Sequence, residues 1–228
     1  MQPIKFYGKC PSANPFKVEI FLKELNLSYE SILIPFSDVK KPYFVAINPN
    51  GRLPAIHDPN TGITLWESGA IIEYLIEQYD KDERRLSFAP GSAEAYHAKQ
   101  WLFFQVSGQG PYYGQFGWFV KFHAEKIPSA IERYVGEINR VSGVLDSWLA
   151  KQQQEFADAD LTANGPWLVG NRLSYADLAF VRWHMIAGIF ATKEQFDEDN
   201  YPYLKAWIAK MVARDSVQQT IQENPNGE

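Results

Sequence analysis

Cys10, Ser12 and Asn14 lie close together in "GKCPSANPFKVEIFLKEL" (Gly8–Leu25), and each of these side chains can handle a sulfur atom in its own way. A cysteine thiolate is itself a nucleophile. A hydroxyl or a carboxamide N–H instead donates a hydrogen bond to a thiolate carried by a ligand. Asn14 is a favoured helix N-cap, and Pro15 suits the first helical position, where its missing N–H costs nothing. The free amides and positive dipole end of that helix favour an anion such as a thiolate beside Asn14. A nucleophilic cysteine would draw most from this field at the cap or in the first turn. Cys10 lies upstream of the cap, so it reads first as a small buried thiol at the end of a strand. Asn14 reads either as a plain helix cap or as a ligand for sulfur.

Two further stretches carry polar chemistry. In "NPNGRLPAIHD" (48–58), Pro54 opens a strand pattern, which edge strands tolerate. If the Leu53–Pro54 bond is cis, Leu53 turns its N–H and C=O outward toward an extended peptide. In "TLWESGAIIEYL" (64–75), Glu67 and Ser68 stand where a strand gives way to a helix. Ser68, with helix-start amides behind it, suits a carboxylate, and Glu67 suits an ammonium. A plain helix cap is the alternative there.

The elements that must position these residues fall into two groups. "IKFY" (4–7) and "YESILI" (29–34) are short and rich in aromatic and β-branched residues, as buried strands are. "NPFKVEIFLKELN" between them has helical periodicity. "LPAIHD" and "GITLW", separated by turn residues, read as a hairpin, and "ESGAIIEYLIEQY" as a helix. "SDVKKPYFVAI" is a weak helix broken by Pro42. The order β-α-β-(α)-β-β-α thus occupies residues 1–84. After a turn-rich linker, 85–92, only helical patterns follow, so 93–228 reads as an all-helical domain.

The chain has 228 residues, 46% of them hydrophobic, with seven Trp, twelve Tyr and fifteen Phe, as a globular protein does. Its net charge of −5 is interspersed, which gives no footprint for nucleic acid or an anionic membrane. No apolar run reaches the length of a membrane span, no signal-peptide pattern opens the chain, and one cysteine forms no internal disulfide. A cytoplasmic location is expected. The four histidines lack metal-ligand spacing and no phosphate loop is present, so neither metal nor nucleotide is expected.

Taken together, "NPNGRLPAI", "WESGAIIEYL" and "LVGNRLSYADLAF" resemble a cytosolic glutathione transferase over nearly the whole chain. That family joins a thioredoxin-like α/β domain to an all-helical one. In "LVGNRLSYADLAF", Ser174 and Asp177 form a capping-box pair, with Leu173 and Leu178 as a hydrophobic staple. "ANPFKVEIFL", "WLFFQVSGQGPYYGQ" and "IPSAIERY" are similar to the nu class and to the fungal branch containing the nitrogen-regulator prion protein.

The resemblance makes glutathione the co-substrate and its sulfur the nucleophile. Asn14 and Ser12 take the catalytic positions, because the nucleophilic cysteine of omega-type members falls at Ser12 and not at Cys10. Leu53, before a cis Pro54, pairs with the cysteinyl unit. Glu67 and Ser68 hold the γ-glutamyl end, and Arg52 lies along the tripeptide. Val39 replaces the residue that usually meets the glycine end, so that either Lys40 takes that role or affinity for glutathione falls. Arg133 matches a nu-class arginine, or else pairs with Glu137 one turn on. Phe16 and Lys17 fit the family as structural residues. With the helix interrupted beyond Gly108 and at Pro111, Tyr112, Tyr113, Phe116 and Phe119 are candidates for an apolar acceptor pocket. The family implies a homodimer. Two chemistries stay open, conjugation in detoxification and disulfide reduction without a protein cysteine. The alternative is a non-enzymatic regulator that keeps the fold.

Overall fold

β1 (Ile4–Tyr7) forms the axis of a four-stranded sheet, ordered β2-β1-β3-β4, in a computed structural model that describes residues 1–8, 12–156 and 165–224. β2 (Tyr29–Ile32) runs parallel to β1, whereas β3 (Ala55–Asp58) is antiparallel to β1 and forms a hairpin with β4 (Ile63–Trp66). Parallel strands need a crossover, and α1 (Ala13–Glu24) supplies it. A short 3₁₀ turn and α2 (Pro42–Val45) fill the weak middle segment, and α3 (Ser68–Tyr79) closes the unit. Asp58, at the end of β3, accepts hydrogen bonds from both Tyr74 and Tyr79, which ties α3 to the hairpin.

α1 is buried almost all round: Phe16, Val18, Ile20, Phe21 and Leu22 are core residues. A helix with almost no exposed face needs cover on more than one side. α3 gives part of it, and the rest comes from the end of the chain. The first compact unit is Met1–Arg85 together with the segment from Arg214 onward, and the second is Leu86–Ala213. The expected all-helical domain from 93 to the end therefore lacks its last helix, α10 (Asp215–Glu223), which packs on α1. Buried Glu24 anchors it, accepting two bonds from the Arg214 guanidinium at 2.6 and 2.8 Å and one from Ser216 at 2.6 Å.

In the second unit, α4 (Ala93–Phe104) does not stop at the glycines as expected. It runs through a π-turn (Gln105–Gln109) into α5 (Gly110–Gly117), then through a second π-turn (Trp118–Phe122). The Gly110 N–H reaches back five residues to the Gln105 carbonyl, just before Pro111, which has no N–H to offer. The glycines serve packing instead: a Cβ on Gly114 would lie 3.1 Å from the indole of Trp183. α6 (Pro128–Glu155), α7 (Tyr175–Leu178), α8 (Val181–Phe190) and α9 (Pro202–Val212) complete this unit. No strand occurs among its described residues, and no described helix is long and apolar enough to cross a membrane.

His184 of α8 is buried with its ring edge-on to Phe196, and its Nδ1 finds no hydrogen-bond partner among the described residues. Its Nε2 lies 3.8 Å from Glu198. Burial pushes its pKa down to about 4, against about 6.5 in an unfolded chain. The unfolded state therefore binds the proton more readily. The stability tied to neutral His184 is complete above pH 6.5 and is lost as pH falls toward 4, by about 2–3 kcal/mol. Urea titrations of His184→Leu across this range are expected to show a flatter acid limb than wild type.

Candidate active site

The sheet register gathers three of the polar segments. Tyr7, the last residue of β1, pairs with Ala55, the first of β3, and Ala55 pairs with Trp66, the last of β4. The exit of β1 toward Ser12, the entry of β3 at Leu53–Pro54 and the exit of β4 at Glu67 therefore share one end of one sheet.

At this end, Ser12 and not Asn14 is the N-cap of α1. Ser12 has extended backbone, and its carbonyl accepts from the Phe16 N–H at 3.1 Å. Asn14 thus lies inside the first turn, partly exposed, and Pro15 follows it in the same turn. The correction has a simple cause. Serine caps as well as asparagine does, and Pro15 is tolerated throughout the first turn because none of its N–H groups has an intrahelical acceptor. The Ser12 hydroxyl makes no bond to its own helix. Cys10 lies outside the described residues.

The Leu53–Pro54 bond is cis. The Leu53 side chain packs on the cluster of Ile34, Phe44 and Ala55, which Val39 also joins. Main-chain hydrogen bonds to Leu53 are absent among the described residues, so its N–H and C=O remain available. The preceding loop is held from inside by Asn48, 2% exposed. Its Nδ2 donates to the Arg52 carbonyl at 2.6 Å, and its Oδ1 accepts from the Asn50 N–H at 2.9 Å. Lys40 Nζ donates to the Asn50 carbonyl at 2.7 Å. Gly51, at φ +57°, lets the loop close on this lysine, since a Cβ there would stand 2.6 Å from the Val39 carbonyl. Lys40, Arg52 and the loop thus form one polar rim, with Val39 turned into the apolar cluster beneath.

Glu67 caps α3 with φ +71° and ψ +115°, a left-handed conformation that costs a non-glycine residue about 1–3 kcal/mol. Its Oε1 lies 3.4 Å from Asn50 Nδ2. Ser68 follows as the buried first residue of α3, among helix-start N–H groups. Free amides, a hydroxyl and a carboxylate at one strand end can receive a small zwitterionic peptide, anion to helix and ammonium to Glu67.

The aromatic candidates divide. Tyr113 and Phe116 are 1% and 0% exposed, and Tyr113 donates to the Ile138 carbonyl, so neither lines an open pocket. The continuous helix explains this correction, for it turns Tyr113 toward Ile138 and Ser142 of α6 and buries Phe116. Tyr112 and Phe119 are half-buried and flank Tyr134, with Phe119 stacked on it at 5.8 Å. Arg133 is exposed and pairs with Glu137 at 3.3 Å.

The Glutathione S-transferase N-terminal domain family matches residues 2–77, and its C-terminal domain family matches residues 111–215. The chain belongs to the glutathione S-transferase family. A Glutathione S-transferase-like protein of Aspergillus terreus, gedE, is 54% identical over 96% of this chain and 94% of its own length. Among solved structures, a glutathione transferase from Phanerochaete chrysosporium in complex with oxidized glutathione is 41% identical. It superposes with a TM-score of 0.87 over 100% of this chain and 98% of its own. The nitrogen regulation fragment of the yeast prion protein Ure2p is 34% identical, with a TM-score of 0.85 over 97% of this chain and 98% of its own.

The thioredoxin-like unit of this glutathione transferase fold, and its helical partner, are thus those the sequence led one to expect. Several contributors escaped sequence reading. Asn48 and Asn50 stand in "NPNG", where turn propensity alone accounts for them. Tyr134 lies on a different helix from the rings it meets. Lys17, which the resemblance gives only as a structural residue, is 1% exposed. Among the described residues, no group of three His, Cys, Asp or Glu side chains is arranged to hold a metal ion.

Proposed function

We propose that the chain is a glutathione-dependent enzyme that uses the thiolate of glutathione and no protein cysteine. The observation that carries this reading is the Tyr7–Ala55–Trp66 register, by which the exit of β1 toward α1, the entry of β3 after Leu53 and the exit of β4 toward Glu67 and Ser68 share one end of the sheet. In this reading the Asn14 amide and Ser12 hydroxyl donate to the thiolate and lower the thiol pKa, because hydrogen bonds to the charged form favour it. Leu53 pairs its main chain with the cysteinyl unit, Glu67 takes the α-ammonium, and Ser68 takes the α-carboxylate. Arg52 lies along the tripeptide, and Lys40 serves the glycine end. Tyr112 and Phe119 offer aromatic faces to an apolar co-substrate.

Two reactions follow from one activated thiolate. In conjugation it attacks an electrophilic carbon, forming a carbon–sulfur bond and expelling a leaving group. In disulfide reduction it attacks a disulfide, releasing one thiolate, and a second glutathione resolves the mixed disulfide to oxidised glutathione. Likeness to a relative solved with oxidized glutathione supports the second. A cytoplasmic homodimer is part of the proposal. Likeness to the nitrogen regulation fragment supports a second reading, a regulator without turnover.

Glutathione-dependent reduction of 2-hydroxyethyl disulfide by wild type and Cys10→Ala decides among these. Equal rates in the two proteins are expected. A rate lost in Cys10→Ala would overturn the cysteine-free mechanism. No rate in either moves the assay to 1-chloro-2,4-dinitrobenzene, and failure there too leaves the regulator.

A further inference from the structure

The turn that leads into Leu53 is closed from within. The Gly51 N–H donates to the Asn48 carbonyl at 2.8 Å, and the Asn48 side chain holds the Asn50 N–H and the Arg52 carbonyl. Among the described residues, two side-chain bonds lead out of this turn, and both end on Asn50. Its carbonyl accepts from Lys40 Nζ at 2.7 Å, and its Nδ2 lies 3.4 Å from Glu67 Oε1 at the cap of α3. The lysine stem meets the turn as well. A Cβ on Gly51 would stand 2.7 Å from Lys40 Cδ, so the turn lies directly against that side chain. Neighbouring Lys41 is taken by the Asp38 carboxylate at 2.7 Å. Lys40 instead spends its bond on a main-chain carbonyl.

We propose that Lys40 is a positioning residue for the whole tripeptide site, pinning the Asn50 carbonyl so that the Leu53 main chain and the Asn50–Glu67 contact are in place before a ligand arrives. The inference rests on the glutathione reading above and goes beyond the glycine end given to Lys40 there. In that reading Lys40 touches neither the cysteinyl unit nor the γ-glutamyl end, yet the turn it holds runs straight into Leu53 and reaches Glu67. An ammonium carries three donors. One on the Asn50 carbonyl leaves the others open to a ligand carboxylate.

A turn fixed beforehand spares the ligand the entropy of ordering it, which is how preorganisation becomes affinity. Without the lysine the turn keeps its internal bonds through Asn48, but its placement against α3 loosens. A hydrogen bond from a charged donor is among the stronger ones, and the exposure of Lys40 weakens it. A loss of about fivefold in ligand affinity follows. It differs from the loss of a ligand contact in one respect: it does not depend on the glycine carboxylate.

The test is calorimetric titration of the full chain with two ligands. One is S-methylglutathione. The other is the methylamide of γ-glutamyl-S-methylcysteine, in which a hydrogen replaces the glycine carboxylate. Lys40→Met is expected to bind the methylamide about fivefold more weakly than wild type, and to lose at least as much for S-methylglutathione. Lys40→Arg, which keeps a cationic donor, is expected to bind the methylamide more tightly than Lys40→Met. Because Lys40 is exposed, Lys40→Met is expected to unfold within about 2 °C of wild type, which separates a loosened turn from a damaged fold. Unchanged methylamide affinity in Lys40→Met overturns the positioning role and leaves the glutathione site standing. So does wild type that binds S-methylglutathione and not the methylamide. No binding of either ligand by wild type overturns the glutathione reading as well.

Discussion

Replacing Asn14 with alanine is expected to lower kcat for glutathione-dependent turnover by about 10–100-fold, the loss that follows removal of one hydrogen bond to a charged group. The dissociation constant of S-methylglutathione is expected to change by less than about threefold, since that ligand carries no thiolate. The split follows from position. Asn14 stands in the first turn of α1, while the parts proposed to hold the two ends of the tripeptide, Glu67, Ser68 and the loop of Arg52, belong to other segments. The thiol of bound glutathione, titrated by its ultraviolet absorbance, is expected to ionise at higher pH in the variant. Equal losses of turnover and of S-methylglutathione affinity would make Asn14 a binding residue only. Ser12→Ala is expected to act in the same direction and more weakly, because the amides of the helix start remain.

Replacing Asp177 with alanine is expected to destabilise the protein by about 3–5 kcal/mol, at the upper end for a single substitution. Asp177 is fully buried at the start of α7 and is the acceptor for four donors. They are the Ser174 N–H and hydroxyl, each at 2.9 Å, the Leu168 N–H at 2.9 Å and the Trp207 indole at 3.0 Å. The Ser174 N–H closes the Asp177 half of the capping box, the Ser174 hydroxyl adds a second bond from the cap, and the others bring in the loop before α7 and the core of α9. Alanine would strand all of these donors in an apolar interior, where each unsatisfied group costs about 1–3 kcal/mol. Urea unfolding followed by tryptophan fluorescence reads the loss. Activity at low temperature in any folded fraction is expected to stay near wild type. A cost below about 1 kcal/mol would mean that the box contributes little beyond local geometry.

The capping box was legible in the sequence because its parts lie within one helical turn, where spacing is geometry. For the same reason the strand–helix order of the first unit and its hairpin could be read from periodicity and turn residues. The N-cap of α1 was misread for a local reason too: Ser12 and Asn14 are both good caps, and Pro15 does not choose between them. The π-turns had no such signal. Glycine and proline in "GQGPYYGQ" break helices by propensity, but here Trp183 of a distant helix fills the space that the glycines leave. Tyr113 and Phe116 went into the core with that continuous helix, and Tyr112 and Phe119 met Tyr134.

By itself the sequence determined the two kinds of secondary structure, the residue types at each polar turn and the family to which the chain belongs. Only the tertiary structure decided which of those turns share a place. Ser12, Leu53 and Glu67 stand far apart along the chain, and it is the pairing of Tyr7 with Ala55 and of Ala55 with Trp66 that brings their segments to one end of the sheet. Tertiary structure likewise sent α10 back to cover α1, and it buried Lys17 within that helix. The physical reason is the same in each case. Local spacing reaches about one turn of helix or one hairpin, whereas register, burial and counter-charge depend on partners supplied by the rest of the chain.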